Sequence, residues 1–241
     1  MTPNVTGREG ECSGPDRDSN PGPLNLQSDN LAQKSAFKGK ASESDSAFKN
    51  NWGSADRAVD GYLQDERGEA TCSFTTALYY KTAWWKFTLS QLSNVAYLEI
   101  FFRKSTVNRH VGFSVYVFNE SWYIPPSTGG YNVFSHNKSS CPNQVMNVTI
   151  NKLTRGIALF NSKNPPLQTS CTGYEPSYAT IEVCEVMVMG CKFQHYGDPC
   201  KLCSANCLNR QCDAFDGSCI YGCSDHFVYP PDCSSEEIPF I

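Results

Sequence analysis

The sequence has no run of about 18 apolar residues, so no membrane-spanning helix is expected. It is also poor in charge. Only 18% of residues are Asp, Glu, Lys or Arg, with 20 basic against 24 acidic and a net charge of -4, and no basic run stands out. That composition offers no electrostatic route to nucleic acid. Helical periodicity is missing too: no stretch of 12 residues combines a 3.6-residue apolar repeat with caps. There are four histidines and no G-x-S-x-G, H-E-x-x-H or Gly-rich phosphate loop, so nothing in the sequence would activate a nucleophile or a metal-bound water. A non-catalytic protein is expected. The opening MTPNVTGREGECSGPDRDSNPGPL lacks the apolar stretch of roughly 7 to 15 residues that a secretory signal needs. Residues 1–29 read instead as a structureless or mispredicted leader.

Cysteine, by contrast, is abundant. Thirteen cysteines would be kept reduced by cytosolic glutathione, so the count points to an oxidising compartment, and its oddness leaves at least one thiol over. Eight lie from Cys191 to Cys233 and only five elsewhere. This contrast predicts a boundary: residues 30–190 fold mainly by burying apolar side chains, residues 191–233 form a crosslinked module, and 234–241 are a short tail. Cys12, in the leader, is the natural odd thiol.

From residue 30 onward, short runs of β-branched and aromatic residues alternate with turn-forming clusters. Strands are expected at 84–89, 95–103, 111–118, 144–150, 156–160 and 178–189. Val111, Phe113, Val115 and Val117 share one face, as do Ala179, Ile181 and Val183. Loops such as 125–130 and 161–166 are rich in Asn, Ser, Gly and Pro. The pattern predicts an all-β sandwich or jelly roll. Asn4, Asn119, Asn137 and Asn147 each head an Asn-x-Ser/Thr acceptor, and the last three lie in or beside the loops of the β region, where glycosylation would follow secretion.

Asn30-Leu31-Ala32, Ala55-Asp56-Arg57-Ala58-Val59-Asp60-Gly61, Thr71-Cys72-Ser73, Trp84-Trp85-Lys86-Phe87-Thr88-Leu89 and Ile181-Glu182-Val183-Cys184-Glu185-Val186 occur in this order. Together they resemble the F-type lectin (fucolectin) family. The resemblance implies a galactose-binding-like β jelly roll, with sugar bound by loops at one end and calcium holding those loops. It further implies a Cys72–Cys184 crosslink and leaves Cys141 and Cys171 to pair.

For the sugar site, the resemblance implies Arg103, with Arg109 or His110 as the following base. Two positions depart from the family pattern: Phe74 stands in the place of a His donor, and Ser105 in the place of an Asp acceptor. Each lost partner is worth about 1–3 kcal/mol where buried or charged, so weak fucose binding, or another saccharide stacked on Phe74, Tyr79 or Tyr80, is expected. For calcium, the resemblance implies oxygens from Asp60, from the loop at Thr71 and from Glu185, while Tyr62 replaces an Asn ligand.

The eight cysteines Cys191, Cys200, Cys203, Cys207, Cys212, Cys219, Cys223 and Cys233 follow the spacing C-x8-C-x2-C-x3-C-x4-C-x6-C-x3-C-x9-C. Gly217-Ser218-Cys219-Ile220-Tyr221-Gly222-Cys223 resembles a segment of laminin-type EGF-like repeats, as in multiple-EGF-like receptors. That likeness implies bonds from first to third, second to fourth, fifth to sixth and seventh to eighth. Zinc is the competing reading, from the Cys200/Cys203 pair with His195 and His226. The other cysteines, at the lectin family's disulfide positions, argue against it, and no zinc is expected. No βαβ pattern surrounds the pair, which argues against a thioredoxin-like role. The expected function is extracellular recognition of glycans or glycoproteins. The alternative is a degenerate lectin domain serving as the adhesive, protein-binding ectodomain of a multiple-EGF-like receptor.

Overall fold

A computed structural model describes residues 37–44, 53–63, 72–75, 80–224 and 231–233. The expected leader, Asn4, Cys12, Thr71, Tyr79, His226 and the tail lie outside the described residues. The chain is all-β, a jelly-roll sandwich followed by a small disulfide-rich region. Its strands are β1 (Gly39–Glu43), β2 (Ser73–Phe74), β3 (Thr82–Phe102), β4 (Ser114–Phe118), β5 (Gly130–Ser135), β6 (Val145–Ser162), β7 (Glu182–Lys192), β8 (His195–Tyr196) and β9 (Lys201–Leu202). Among the described residues, no helix is long and apolar enough to cross a membrane.

Two long bent strands build both layers. The first half of β3 pairs with β1 and with the second half of β6, and that half of β6 carries β4 and β5 outward. The second half of β3 pairs with β7 and with the first half of β6, and β2 closes the edge beyond β7. Side-chain parity changes at the bends. In β3 the inward residues are Ala83, Trp85, Phe87 and Leu89 before the bend and Leu98, Ile100 and Phe102 after it. In β6, Val148 and Ile150 give way to Ile157 and Leu159. A strand alternates with period 2, so only an irregularity in register keeps both halves facing one core. Register shifts fall between Thr88 and Ser93 and between Val95 and Tyr97, and Asn151 in β6 has φ 45°.

One apolar core fills the space between the layers, with Trp85, Phe102, Phe113, Leu98 and Ile157 fully enclosed. Burial of each such side chain contributes about 1.5–3 kcal/mol. The indole of Trp85 also donates to the Ala55 carbonyl at 2.9 Å, which fixes the short 3-10 turn Ala55–Val59 against the sandwich.

Six disulfides close the described chain. Cys72–Cys184 and Cys141–Cys171 tie the sandwich. In the C-terminal region the bonds are Cys191–Cys200, Cys203–Cys212, Cys207–Cys219 and Cys223–Cys233. Only the last of the four pairings implied by the EGF-like likeness is found as expected. The interleaved order is present, but it starts at Cys203, because Cys191 lies within β7 and closes a short loop with Cys200 at the foot of the sandwich. The region packs on the bends of β3 and β6. Asn94 donates to the carbonyls of His195 and Cys212, Asn151 accepts from the Ala214 amide at 2.9 Å, and Tyr97 stacks on Phe215.

Candidate functional site at the loop end of the sandwich

The sandwich end away from the disulfide-rich region is formed by the end of β3, the start of β7, β2 and the 3-10 turn Lys104–His110. The turn follows directly from Phe102, whose buried ring packs at 4.5 Å from the His110 imidazole and at 5.0 Å from Phe113. Both ends of the seven-residue turn are therefore anchored, and Arg103 and Arg109 project from its two ends toward the same place.

That place is Glu182, which is 3% exposed. Arg103 Nη1 meets its Oε2 at 3.0 Å, and Arg109 Nη1 meets its Oε1 at 2.8 Å. The Thr106 hydroxyl donates to Oε2 at 2.8 Å. The backbone of Glu182 is held as well: its amide donates to His110 Nε2 at 2.8 Å, and its carbonyl accepts from the Arg103 amide at 3.1 Å. Burial by itself raises a carboxyl pKa, but the Thr106 hydroxyl and the Arg109 guanidinium outweigh it, and Glu182 lies below its ordinary value. Its charge is thus present across the physiological range.

Each guanidinium also faces an aromatic ring, Arg103 over Phe74 and Arg109 over Tyr178, both at 5.8 Å. Tyr80, half exposed, lies beside Tyr178 through the bond from the Ala179 amide to the Tyr80 carbonyl. Beneath the turn, Lys163 is fully enclosed; its ammonium donates to the Arg109 carbonyl at 2.9 Å and sits 4.5 Å from the Tyr174 ring. Burial lowers the Lys163 pKa to about 8 against the opposing pull of Glu175.

The structure therefore gathers Phe74, Arg103, Arg109 and His110, the residues singled out for sugar binding, but gives them unequal access. Arg103 and Arg109 are 13% and 33% exposed at the side chain, so neither is a freely solvated surface base. His110 is 0% exposed, with Nδ1 facing the Val107 carbonyl and Nε2 occupied by the Glu182 amide. As a direct sugar ligand it is corrected: an enclosed ring with both nitrogens engaged can only position its neighbours. Ser105 is exposed on the turn, and the carboxylate nearest to the two arginines is Glu182 on β7, whose oxygens are taken up by Arg103, Arg109 and Thr106.

The expected calcium residues also come together in part. Glu185 Oε2 accepts from the Gly61 amide at 3.1 Å, and Asp60 Oδ1 accepts from the Tyr62 amide at 2.9 Å, so both carboxylates flank one turn. Among the described residues no group of three or more His, Cys, Asp or Glu is gathered as a metal cluster. Asp60 and Glu185 thus offer two carboxylates beside one turn, while Thr71, the third residue expected to hold calcium, lies outside the described residues.

No model of a protein family matches the sequence, and no curated protein matches it. Solved structures of similar fold include a fucolectin from striped bass (Morone saxatilis) serum, at 18% identity and TM-score 0.49, over 68% of this chain and 49% of that one. The chain thus spans about half the length of that lectin. The lectin domain of lectinolysin complexed with Lewis B antigen is 21% identical, over 68% of this chain and 98% of that one, with TM-score 0.46. A fucose-binding module of Streptococcus pneumoniae is 18% identical over 65% and 97%, with TM-score 0.46.

Proposed function

We propose that this chain is an extracellular, non-catalytic recognition protein that binds a carbohydrate at the loop end of its sandwich. One observation carries this reading: two arginines from a single anchored turn converge on the buried Glu182, each flanked by an aromatic ring, and Arg109 keeps a third of its side chain in solvent. Saccharides offer hydroxyls to charged hydrogen-bonding groups and C–H faces to aromatic rings. A guanidinium fixed in advance by a carboxylate loses little side-chain entropy when a sugar binds. Calcium belongs to the same proposal: Asp60 and Glu185 would help hold an ion whose charge stiffens the loops beside Cys72. The disulfides and the resemblance to a secreted lectin family support an extracellular setting.

The test is a glycan array run with and without EDTA on folded, disulfide-intact protein. Retention of a defined glycan that is lost in Arg109→Ala supports the proposal. Silence across the array with calcium present overturns it and favours the protein-binding alternative.

A further inference from the structure

At the opposite end of the sandwich, a groove of about 470 Å3 runs between the ends of β4 and β5, the bend of β6 and the disulfide-rich region. Its size lies within the roughly 300–1,000 Å3 of small-molecule sites. Tyr131 from β5 and Tyr221 from the disulfide-rich region line it, 74% and 62% exposed, with Lys152 and Gln211 beside them. One ring comes from the sandwich and the other from the disulfide-rich region, and both present an aromatic face that a sugar ring can stack on.

The acceptor Asn119 is itself part of this lining. Its Oδ1 accepts from the Arg155 amide at 3.2 Å, which fixes the side chain at the groove, while Nδ2 makes no hydrogen bond to a described residue. Nδ2 is the atom that N-glycosylation modifies. The other two acceptors lie elsewhere. Asn137 is turned onto the Ser139 amide and hydroxyl, and Asn147 is exposed within β6, opposite Glu99. Neither lines the groove.

We propose that Asn119 is glycosylated and that the first sugars of its glycan lie in this groove, sandwiched between Tyr131 and Tyr221, bridging the sandwich and the disulfide-rich region. The sugars come from a lipid pyrophosphate-linked oligosaccharide: the bond from its anomeric carbon to pyrophosphate breaks, the bond to Nδ2 forms, the lipid pyrophosphate leaves and the amide loses one proton. Once tethered, the sugars are present at an effective concentration in the mM range, so weak stacking is enough to hold them. Lys152 and Gln211 supply donors and an acceptor for the hydroxyls.

The experiment uses the full chain secreted from a glycosylating eukaryotic cell. Release of each glycan by a peptide N-glycosidase is followed on the folded protein by mass spectrometry of the glycopeptides. The glycan at Asn119 is expected to leave about tenfold more slowly than those at Asn137 and Asn147. The Tyr131→Ala, Tyr221→Ala variant is expected to remove the difference. Ser121→Ala abolishes the acceptor without touching Asn119, and amide exchange at residues 220–222 is expected to rise. An unmodified Asn119, equal release from all occupied sites, or unchanged exchange in Ser121→Ala would each overturn the proposal.

Discussion

The amide of Glu182 donates to Nε2 of His110, which requires that nitrogen to be unprotonated and places the imidazole proton on Nδ1, facing the Val107 carbonyl. The buried ring at the centre of the loop end is thus neutral by geometry. Burial pushes its pKa down to about 4, against the attraction of the Glu182 carboxylate.

This has a pH signature. An unfolded chain takes up the His110 proton near pH 6.5, whereas the folded protein holds it off until about pH 4. Between those values the unfolded state binds more protons, so the contribution is full above about pH 6.5 and is lost as pH falls toward 4. It amounts to on the order of 3 kcal/mol. Denaturant titrations from pH 7.5 to 4 should show this slope, and His110→Phe should flatten it. At neutral pH the same substitution should cost about 1–3 kcal/mol, because it orphans the Glu182 amide. Burial lowers the His136 pKa too, so a residual slope of the same sign is expected in the variant.

The ion-pair cluster should respond asymmetrically to truncation. Glu182→Ala removes the buried carboxylate that Arg103, Arg109 and Thr106 share and should destabilise by about 3–5 kcal/mol. Arg109→Ala leaves Glu182 with Arg103 and Thr106 and removes a group one third exposed, so about 1 kcal/mol is expected. Chemical unfolding of the two variants distinguishes them; equal losses would contradict the buried position of Glu182.

Cys72 and Cys184 are 112 residues apart. Closing so long a loop restricts the unfolded chain enough to contribute about 4–5 kcal/mol on the chain-entropy model. The paired substitution Cys72→Ala, Cys184→Ala should lower the unfolding free energy by that order, measured in denaturant. A loss below 1 kcal/mol would show that the unfolded state is already compact.

Asn94 is the buried tie between sandwich and disulfide-rich region. In Asn94→Ala two carbonyl acceptors lose their donor, which should weaken the docking by about 1–3 kcal/mol. Hydrogen exchange at Gly197 and Ala214 should rise by about tenfold, while the exchange of β3 amides stays unchanged.

The strand positions of the central layers were legible because Trp85, Phe87 and Leu89, and Val115 and Val117, alternate with less buried residues. The continuity of β3 and β6 was not. Residues 90–94 fall between the expected strands 84–89 and 95–103, yet Ser93 and Asn94 pair with Thr154 and Leu153 of β6, and the register shift before them carries the strand through the bend. Gly130–Ser135 was not among the expected strands: Gly130, Asn132 and Ser135 interrupt the β-forming Tyr131, Val133 and Phe134, and pairing with β4 holds the segment as β5. Glu182 was visible only as a charge inside an apolar strand. Its arginine partners lie 73 and 79 residues earlier, a distance that no periodicity spans. The expected disulfide frame slipped by two cysteines because the sequence does not reveal that Cys191 belongs to the last strand of the sandwich.

Strand β7 begins at Glu182 in the loop-end cluster and ends beside Cys191, where the disulfide-rich region is fastened. It lies between β2 and β3 with its hydrogen bonds perpendicular to its length. A ligand held at one end and a pull on the C-terminal region at the other would load this strand along its axis, so its hydrogen bonds would resist together in shear. The same strand that positions the carboxylate is placed to act as the tension-bearing member of the molecule.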